Sequence, residues 1–304
     1  MKKVVLVGTI SNAAGSLRSD LTKVMNALST FELVQVFLVE SDSTDATLSV
    51  LENLRTEIEN FNFVSLGDLR AQIPDRIHRI RHCRNVYVQK VRSISESSDI
   101  KYVFVADLDG MNSKISSKAI LSSFERDDWG VVLSNQRGGY YDVLALRHPI
   151  WCPQDVLVDL RREQSLIDST DLPRRSFLRR TSRRVEYDRA RKKAIYSKMI
   201  RIKHDEDWIE VKSGFGGLGI YKSELFKRFD YSLLKGDLDF ESEHVAFSKR
   251  ITDGGFKIFI NPKMINNNLN TYNINRFILV RQIREMYWNS HLRLKKISSS
   301  KDGR

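Results

Sequence analysis

The sequence predicts an α/β protein, one open sheet flanked by helices and interrupted by a basic helical insertion. Three observations lead there. Short apolar runs alternate with amphipathic stretches from residue 4 to residue 106, two of those runs end in carboxylates, and 304 residues at 41% hydrophobic content suffice for one large elaborated domain.

Residues 4–7 (VVLV) form an apolar strand closed by Gly8, and Leu17, Leu21, Val24 and Leu28 then recur along one helix face. Residues 34–39 predict a second strand. It runs into ESDSTD and a helix face at Leu48, Leu51, Leu54 and Ile58, where Ser43 or Thr44 is placed to cap the helix and Asp45 lies near its positive end. A third strand follows at 61–66, a base-rich helix at 77–94 and a fourth strand at 102–106. This order implies parallel pairing, and in open parallel sheets ligands sit beyond the carboxyl ends of the strands. Further on, residues 119–124 predict a helix, 130–134 a strand, and 140–149 (YYDVLALRHP) an aromatic-rich strand. Val245, Phe247 and Ile251 mark another helix, stopped by Gly254-Gly255 ahead of a strand closing at Asn261-Pro262.

The most informative stretch is YVFVADLDGMN, residues 102–112. Side chains at i and i+2 of an extended chain point the same way, so Asp107 and Asp109 address one spot beyond the strand. Such a spot suits Mg²⁺ or Mn²⁺, which take oxygen ligands and fill their shells with water and substrate phosphates. A plain turn is the competing reading, since Asp and Gly both favour turns. Gly214, Gly216, Gly217 and Gly219 form a second distinctive stretch, in which the backbone can pass close to a ligand.

Together, the first strand, the ESDSTDAT turn, the Arg84-Asn85 pair, VADLDG and the "YxD…ALR" segment resemble GT-A-fold (DxD) nucleotide-sugar glycosyltransferases, and are similar to those of capsule and surface polysaccharide. The resemblance implies a Rossmann-like open mixed sheet. It makes Glu40, Ser41 and Asp42 contacts to the base and ribose of a nucleotide-diphosphate sugar. It also makes Asp107 and Asp109 ligands of Mn²⁺ or Mg²⁺, with Arg84, Gly216 and Gly217 near the diphosphate. Members of this fold often carry an acidic pair at a helix N-terminus after the glycine-rich loop, and the corresponding pair here is Glu243-His244. The departure from two acids leaves His244 as general base or as a third metal ligand, with Glu243 in the second case as base or as the charge that steadies the developing oxocarbenium ion. Tyr140, Asp142 and Arg147 fall where the sugar or acceptor binds.

The resemblance divides the chain into a nucleotide-sugar-binding half (1–150), a basic insertion (161–203), an acceptor and catalytic half (205–265) and a C-terminal helix and tail (271–304). The insertion holds fifteen Lys and Arg against five Asp and Glu, which is +10 of the chain's net +12. Its charge predicts an anionic glycan or glycolipid acceptor, or contact with the anionic inner membrane surface. Nucleic acid is the weaker partner, because no helix-turn-helix, zinc finger or RNP-like pattern accompanies the bases. The two cysteines, Cys83 and Cys152, fall outside any CxxC pair, and no apolar run is long enough for a signal peptide or membrane span, so the expected location is the cytoplasm. A sugar nucleotidyltransferase is the alternative enzyme, although the glycine- and arginine-rich loop that usually opens such chains has no counterpart before Arg18.

Overall fold

β1 (Lys3–Ile10) is covered on both faces, which is why its sequence is continuously apolar rather than alternating. Val4 and Leu6 pack on one side with Leu17, Leu21 and Val24 of α1 (Leu17–Ala27), while Val5 and Val7 pack on the other with Tyr87, Val88 and Val91 of α3 (Arg76–Ser97). Around it lie β2 (Glu32–Glu40), β3 (Phe61–Ser65) and β4 (Ile100–Ala106), all parallel in the order β3-β2-β1-β4, with α2 (Thr47–Glu57) joining β2 to β3. The computed structural model describes residues 1–169, 177–233 and 241–268.

The second half adds β5 (Val131–Gln136), β6 (Ile209–Val211), β7 (Leu218–Lys222) and β8 (Ile258–Asn267). The complete order is β3-β2-β1-β4-β7-β5-β8-β6, with β7 antiparallel to both β4 and β5, and β6 antiparallel to β8. The fold is therefore an open mixed α/β sheet with flanking helices. The antiparallel placement of β7 matters most for the site: Leu218, where β7 begins, pairs with Ala106, where β4 ends, so Gly216 and Gly217 meet Asp107 and Asp109.

α4 (Ser117–Leu121) is capped by the Ser116 side chain, and α7 (Glu224–Arg228) and α8 (Glu243–Asp253) pack against α3. The described part of the basic stretch is mostly helical. α5 (Val156–Ser169) and α6 (Phe177–Ala194) pack on one another, tied by Lys193 to Glu163 at 2.6 Å.

Three local expectations differ from the structure. Residues 140–149 are not a strand: apart from isolated bridges they form a loop, with the Tyr140 ring buried and its hydroxyl accepting from the Phe215 amide at 3.2 Å. Neither Ser43 nor Thr44 caps α2, since Asp45 accepts from the Thr47 amide while Ser43 and Thr44 bond back to Asn12. β8 does not stop at Asn261-Pro262 but shifts register there and runs on to Asn267. The expected C-terminal helix lies outside the described residues. No described helix is long and apolar enough to cross a membrane.

Candidate active site

At the carboxyl end of β4, Asp107 is partly buried and Asp109 is exposed. The loop carrying them is held from behind by the buried carboxylate of Asp20 on α1, which accepts from the amides of Gly110 (2.8 Å) and Asn112 (3.2 Å). Its other wall is the glycine turn. The Asp107 amide donates to the Gly217 carbonyl at 2.9 Å, and the Gly216 carbonyl accepts from Ser134 Oγ (2.7 Å), Gln136 Nε2 (2.9 Å) and Asn266 Nδ2 (2.9 Å). Gly216 and Gly217 sit at φ +76° and +85°, and a Cβ on Gly216 would come within 2.7 Å of the Ser134 carbonyl oxygen. Glycine is thus required at both positions, to seat the backbone beside Asp107. Burial and the charge of Asp109 push the Asp107 carboxyl well above its ordinary range, against a smaller opposing pull from Arg84; the Asp109 carboxyl is raised as well, by the protein packed around it and by the Asp20 charge, although the residue keeps a solvent-exposed face.

Behind this pair lies a buried ionic cluster. Arg84 Nε donates to Glu243 Oε1 at 2.8 Å, and its Nη2 stands 3.8 Å from Asp107 Oδ1. Arg84 Nη1 bonds Tyr87, whose hydroxyl bonds Tyr231 at 2.9 Å, and the guanidinium lies over the rings of Phe215 and Tyr231. Burial alone would raise Glu243; the guanidinium outweighs it and holds the carboxylate down at about 2. His244 stacks on Phe215 at 4.1 Å with its Nε2 buried, 3.5 Å from Glu243 Oε1, and without a hydrogen-bond partner. Burial and the neighbouring Arg84 charge bring its pKa down to about 3, so the ring is neutral throughout the physiological range.

Asp142 faces the same space from the 140–149 loop. Its Oδ2 accepts from the Gly216 amide at 3.1 Å and its Oδ1 from the Ala145 amide at 3.4 Å. Burial lifts its carboxyl to about 6, with the Gly216 bond opposing and the Glu243 charge adding to the rise. Tyr140 is fully buried, and Arg147 is committed to Asp155 (2.6 Å) and Glu241 (2.8 Å).

At the end of β2, Glu40, Ser41 and Asp42 are engaged within the fold. Glu40 accepts from the Ser43 amide at 3.0 Å and from the Ser65 hydroxyl, and the Ser41 hydroxyl lies 3.4 Å from Cys83 Sγ. Asp42, at φ +62°, accepts from the Leu69 amide (2.9 Å) and pairs with Arg79 (3.1 Å) and Arg70 (3.8 Å).

The structure therefore brings Asp107, Asp109, Arg84, Glu243, Gly216 and Gly217 to one end of the sheet, with His244 packed behind them. It does not add His244 to a ligand set: among the described residues no three His, Cys, Asp or Glu side chains are grouped to hold a metal. Two crowded carboxylates whose protons are hard to remove are nonetheless a fitting donor set for a hard divalent cation that completes its shell with water and phosphate. The sequence reading assigned no role to Asn112, Gln136, Asn266 or Asp20. These are isolated polar residues whose partners come from up to 154 positions away, as in the Asn266–Asn112 bond.

No family model matches the chain, and no curated protein matches it in sequence. Solved structures share its general shape. The mannosyltransferase PcManGT from Pyrobaculum calidifontis, in complex with GDP-Man and Mn²⁺, is 13% identical with a TM-score of 0.45, over 87% of this chain and 56% of that one. S. aureus TarS 1-349 is 14% identical with a TM-score of 0.44, over 92% of this chain and 64% of that one. Glucosyl-3-phosphoglycerate synthase from Mycobacterium tuberculosis, in complex with UDP, is 13% identical with a TM-score of 0.39, over 88% and 69%. The chain spans less than two thirds of the first two. Likenesses at this level leave the chemistry to be read from the chain's own side chains.

Proposed function

We propose that this protein transfers a sugar from a nucleotide-diphosphate donor to a hydroxyl of a cell-surface glycan or lipid-linked acceptor. The observation that carries the reading is geometric: the Gly216-Gly217 turn joins the two carboxylates at the end of β4 to a third, with the Gly217 carbonyl 2.9 Å from the Asp107 amide and the Gly216 amide 3.1 Å from Asp142 Oδ2, and burial raises Asp142 to about 6, which suits proton transfer near neutral pH. Asp107 and Asp109 would hold Mn²⁺ or Mg²⁺, which when bound offsets the charge of the donor diphosphate. Arg84, 3.8 Å from Asp107, adds fixed positive charge on the same side.

The acid–base work expected of Glu243 and His244 fits Asp142 better. Glu243 is held ionised by Arg84 and is too weak a base, and the His244 nitrogen nearest it is buried against Phe215. In the proposed step the acceptor oxygen bonds to the anomeric carbon, its proton passes to Asp142, and the bond from that carbon to the diphosphate breaks, releasing the nucleoside diphosphate. Glu243 then serves as the counter-charge that fixes Arg84.

Thermal unfolding of the purified chain with UDP or GDP, each with and without Mn²⁺, tests the donor site, since a ligand of the folded state alone raises the melting temperature. A metal-dependent rise is expected with at least one nucleotide and not after Asp107→Asn. No shift with either, or an undiminished shift in the variant, would reject the metal and donor assignment.

A further inference from the structure

A groove of about 800 Å³ lies beside the candidate site. Its walls gather Lys114, Lys118, Arg137, Arg201, Lys203 and Lys263, from four separate stretches of chain, against two carboxylates, Glu125 and Asp205. Lys263 pairs with Glu125 at 2.7 Å; the other five cations, all exposed, make no ion pair among the described residues. Gathering like charges into one concavity costs folding stability through repulsion, and a concave wall focuses their field on whatever enters. Arg201 and Lys203 close the basic insertion, whose charge the donor site leaves without a role.

The groove adjoins the site through shared segments. Lys114 lies on the loop that begins with Asp107 and Asp109, and its amide donates to the Asn266 carbonyl at 2.8 Å. Ile265 lines the groove while its neighbour Asn266 bonds Gly216, as alternation along β8 requires. Arg137 directly follows Gln136, which bonds both Gly216 and Asn266. A chain lying in the groove therefore runs along the rim of the loop that carries the aspartates.

We infer that this groove binds an anionic glycan, a chain with repeating phosphate or carboxylate groups, as the extended part of the acceptor. Arginine forks match either group bidentately and the lysines add point charges. Among the described residues the lining holds no Phe, Tyr or Trp on which nucleic-acid bases stack, and a concavity does not match a flat bilayer. The word acceptor rests on the glycosyl-transfer reading; anion binding by the groove does not.

Fluorescence anisotropy of the full chain with labelled linear polyphosphate and labelled polygalacturonate tests the proposal, with neutral dextran, duplex DNA and anionic phospholipid vesicles as competitors. Binding of at least one of the two polymers is expected, and which one binds separates phosphate from carboxylate recognition. The combined change Lys114→Gln, Arg137→Gln and Arg201→Gln should weaken it at least about tenfold and flatten the salt dependence by roughly one unit of log–log slope per cation removed. Arg137→Gln alone should flatten it by about one unit, should the triple variant fold poorly. Changing Arg189, Arg191 and Lys192 of α6 to Gln should leave binding unchanged. Equal loss in that control set, no binding of either polymer, or tighter binding of dextran, DNA or vesicles would overturn the proposal. Asp107→Asn should keep polymer binding while losing the metal-dependent nucleotide shift, so the two readings fail separately.

Discussion

Two acidic clusters stand at the carboxyl ends of β2 and β4, on either side of β1, and they are finished in opposite ways. At β2, Glu40 and Asp42 spend their oxygens on the Ser43 and Leu69 amides, the Ser65 hydroxyl and the guanidinium of Arg79. At β4, Asp107 and Asp109 repel one another, and the guanidinium beside Asp107, that of Arg84, is already bonded to Glu243 at 2.8 Å. A carboxylate with a full set of partners braces a loop. A carboxylate pair left crowded stores an affinity for a cation, and on the proposed reading this difference separates the braced loop from the metal site.

The comparison breaks most sharply by removing one acid from each cluster. Asp107→Asn should reduce metal-dependent turnover at least about a hundredfold with little change in melting temperature. Asp42→Asn, which tolerates the left-handed backbone at φ +62°, should instead cost about 1–3 kcal/mol of stability and keep metal dependence intact. Paired activity and denaturation curves check both; equal losses of turnover in the two variants would erase the distinction.

Asp142→Asn comes next, with turnover falling by about 10²–10⁴-fold at unchanged donor affinity. Stability should move the other way. Because the folded carboxyl is raised to about 6, the wild type is most favoured below the unfolded value near 4 and loses that contribution as pH rises through about 6. The Asn variant should therefore gain in melting temperature relative to wild type from pH 5 to pH 7, and a parallel decline of both proteins would count against the raised carboxyl.

Arg84→Met should destabilise the fold by about 3–5 kcal/mol, since it strands Glu243 inside, and Glu243→Gln should recover much of that loss. Glu243 has the opposite sign to Asp142: its contribution is present above its unfolded value near 4.5 and fades as pH falls toward about 2. Urea midpoints of the single and double variants between pH 3 and pH 7 measure the coupling, which additive losses would refute. His244→Phe should change turnover by no more than about threefold, because the ring packs on Phe215 as a neutral aromatic. A hundredfold loss would return the base to His244.

Local pattern in the sequence determined β1 to β5, α1 to α4 and α8, and the spot beyond β4, but not β6 or β7. A continuous apolar run means a strand covered on both faces, and the Asp107–Asp109 spacing places two carboxylates just beyond its end. What pattern misjudged is instructive. The aromatic 140–149 stretch reads as a strand because Tyr140, Val143 and Leu146 are buried, yet burial can come from a loop wrapped over Phe215 as readily as from a sheet. Only the tertiary structure decided that β7 runs antiparallel beside β4, bringing Gly217 to Asp107 and Asp142 to Gly216, and that Arg84 reaches Glu243 across 159 residues. The ionisation of each carboxylate follows from those neighbours. Burial and charge act over a few ångströms of space and not along the chain, so a carboxyl is held at about 2 in Glu243 and raised to about 6 in Asp142.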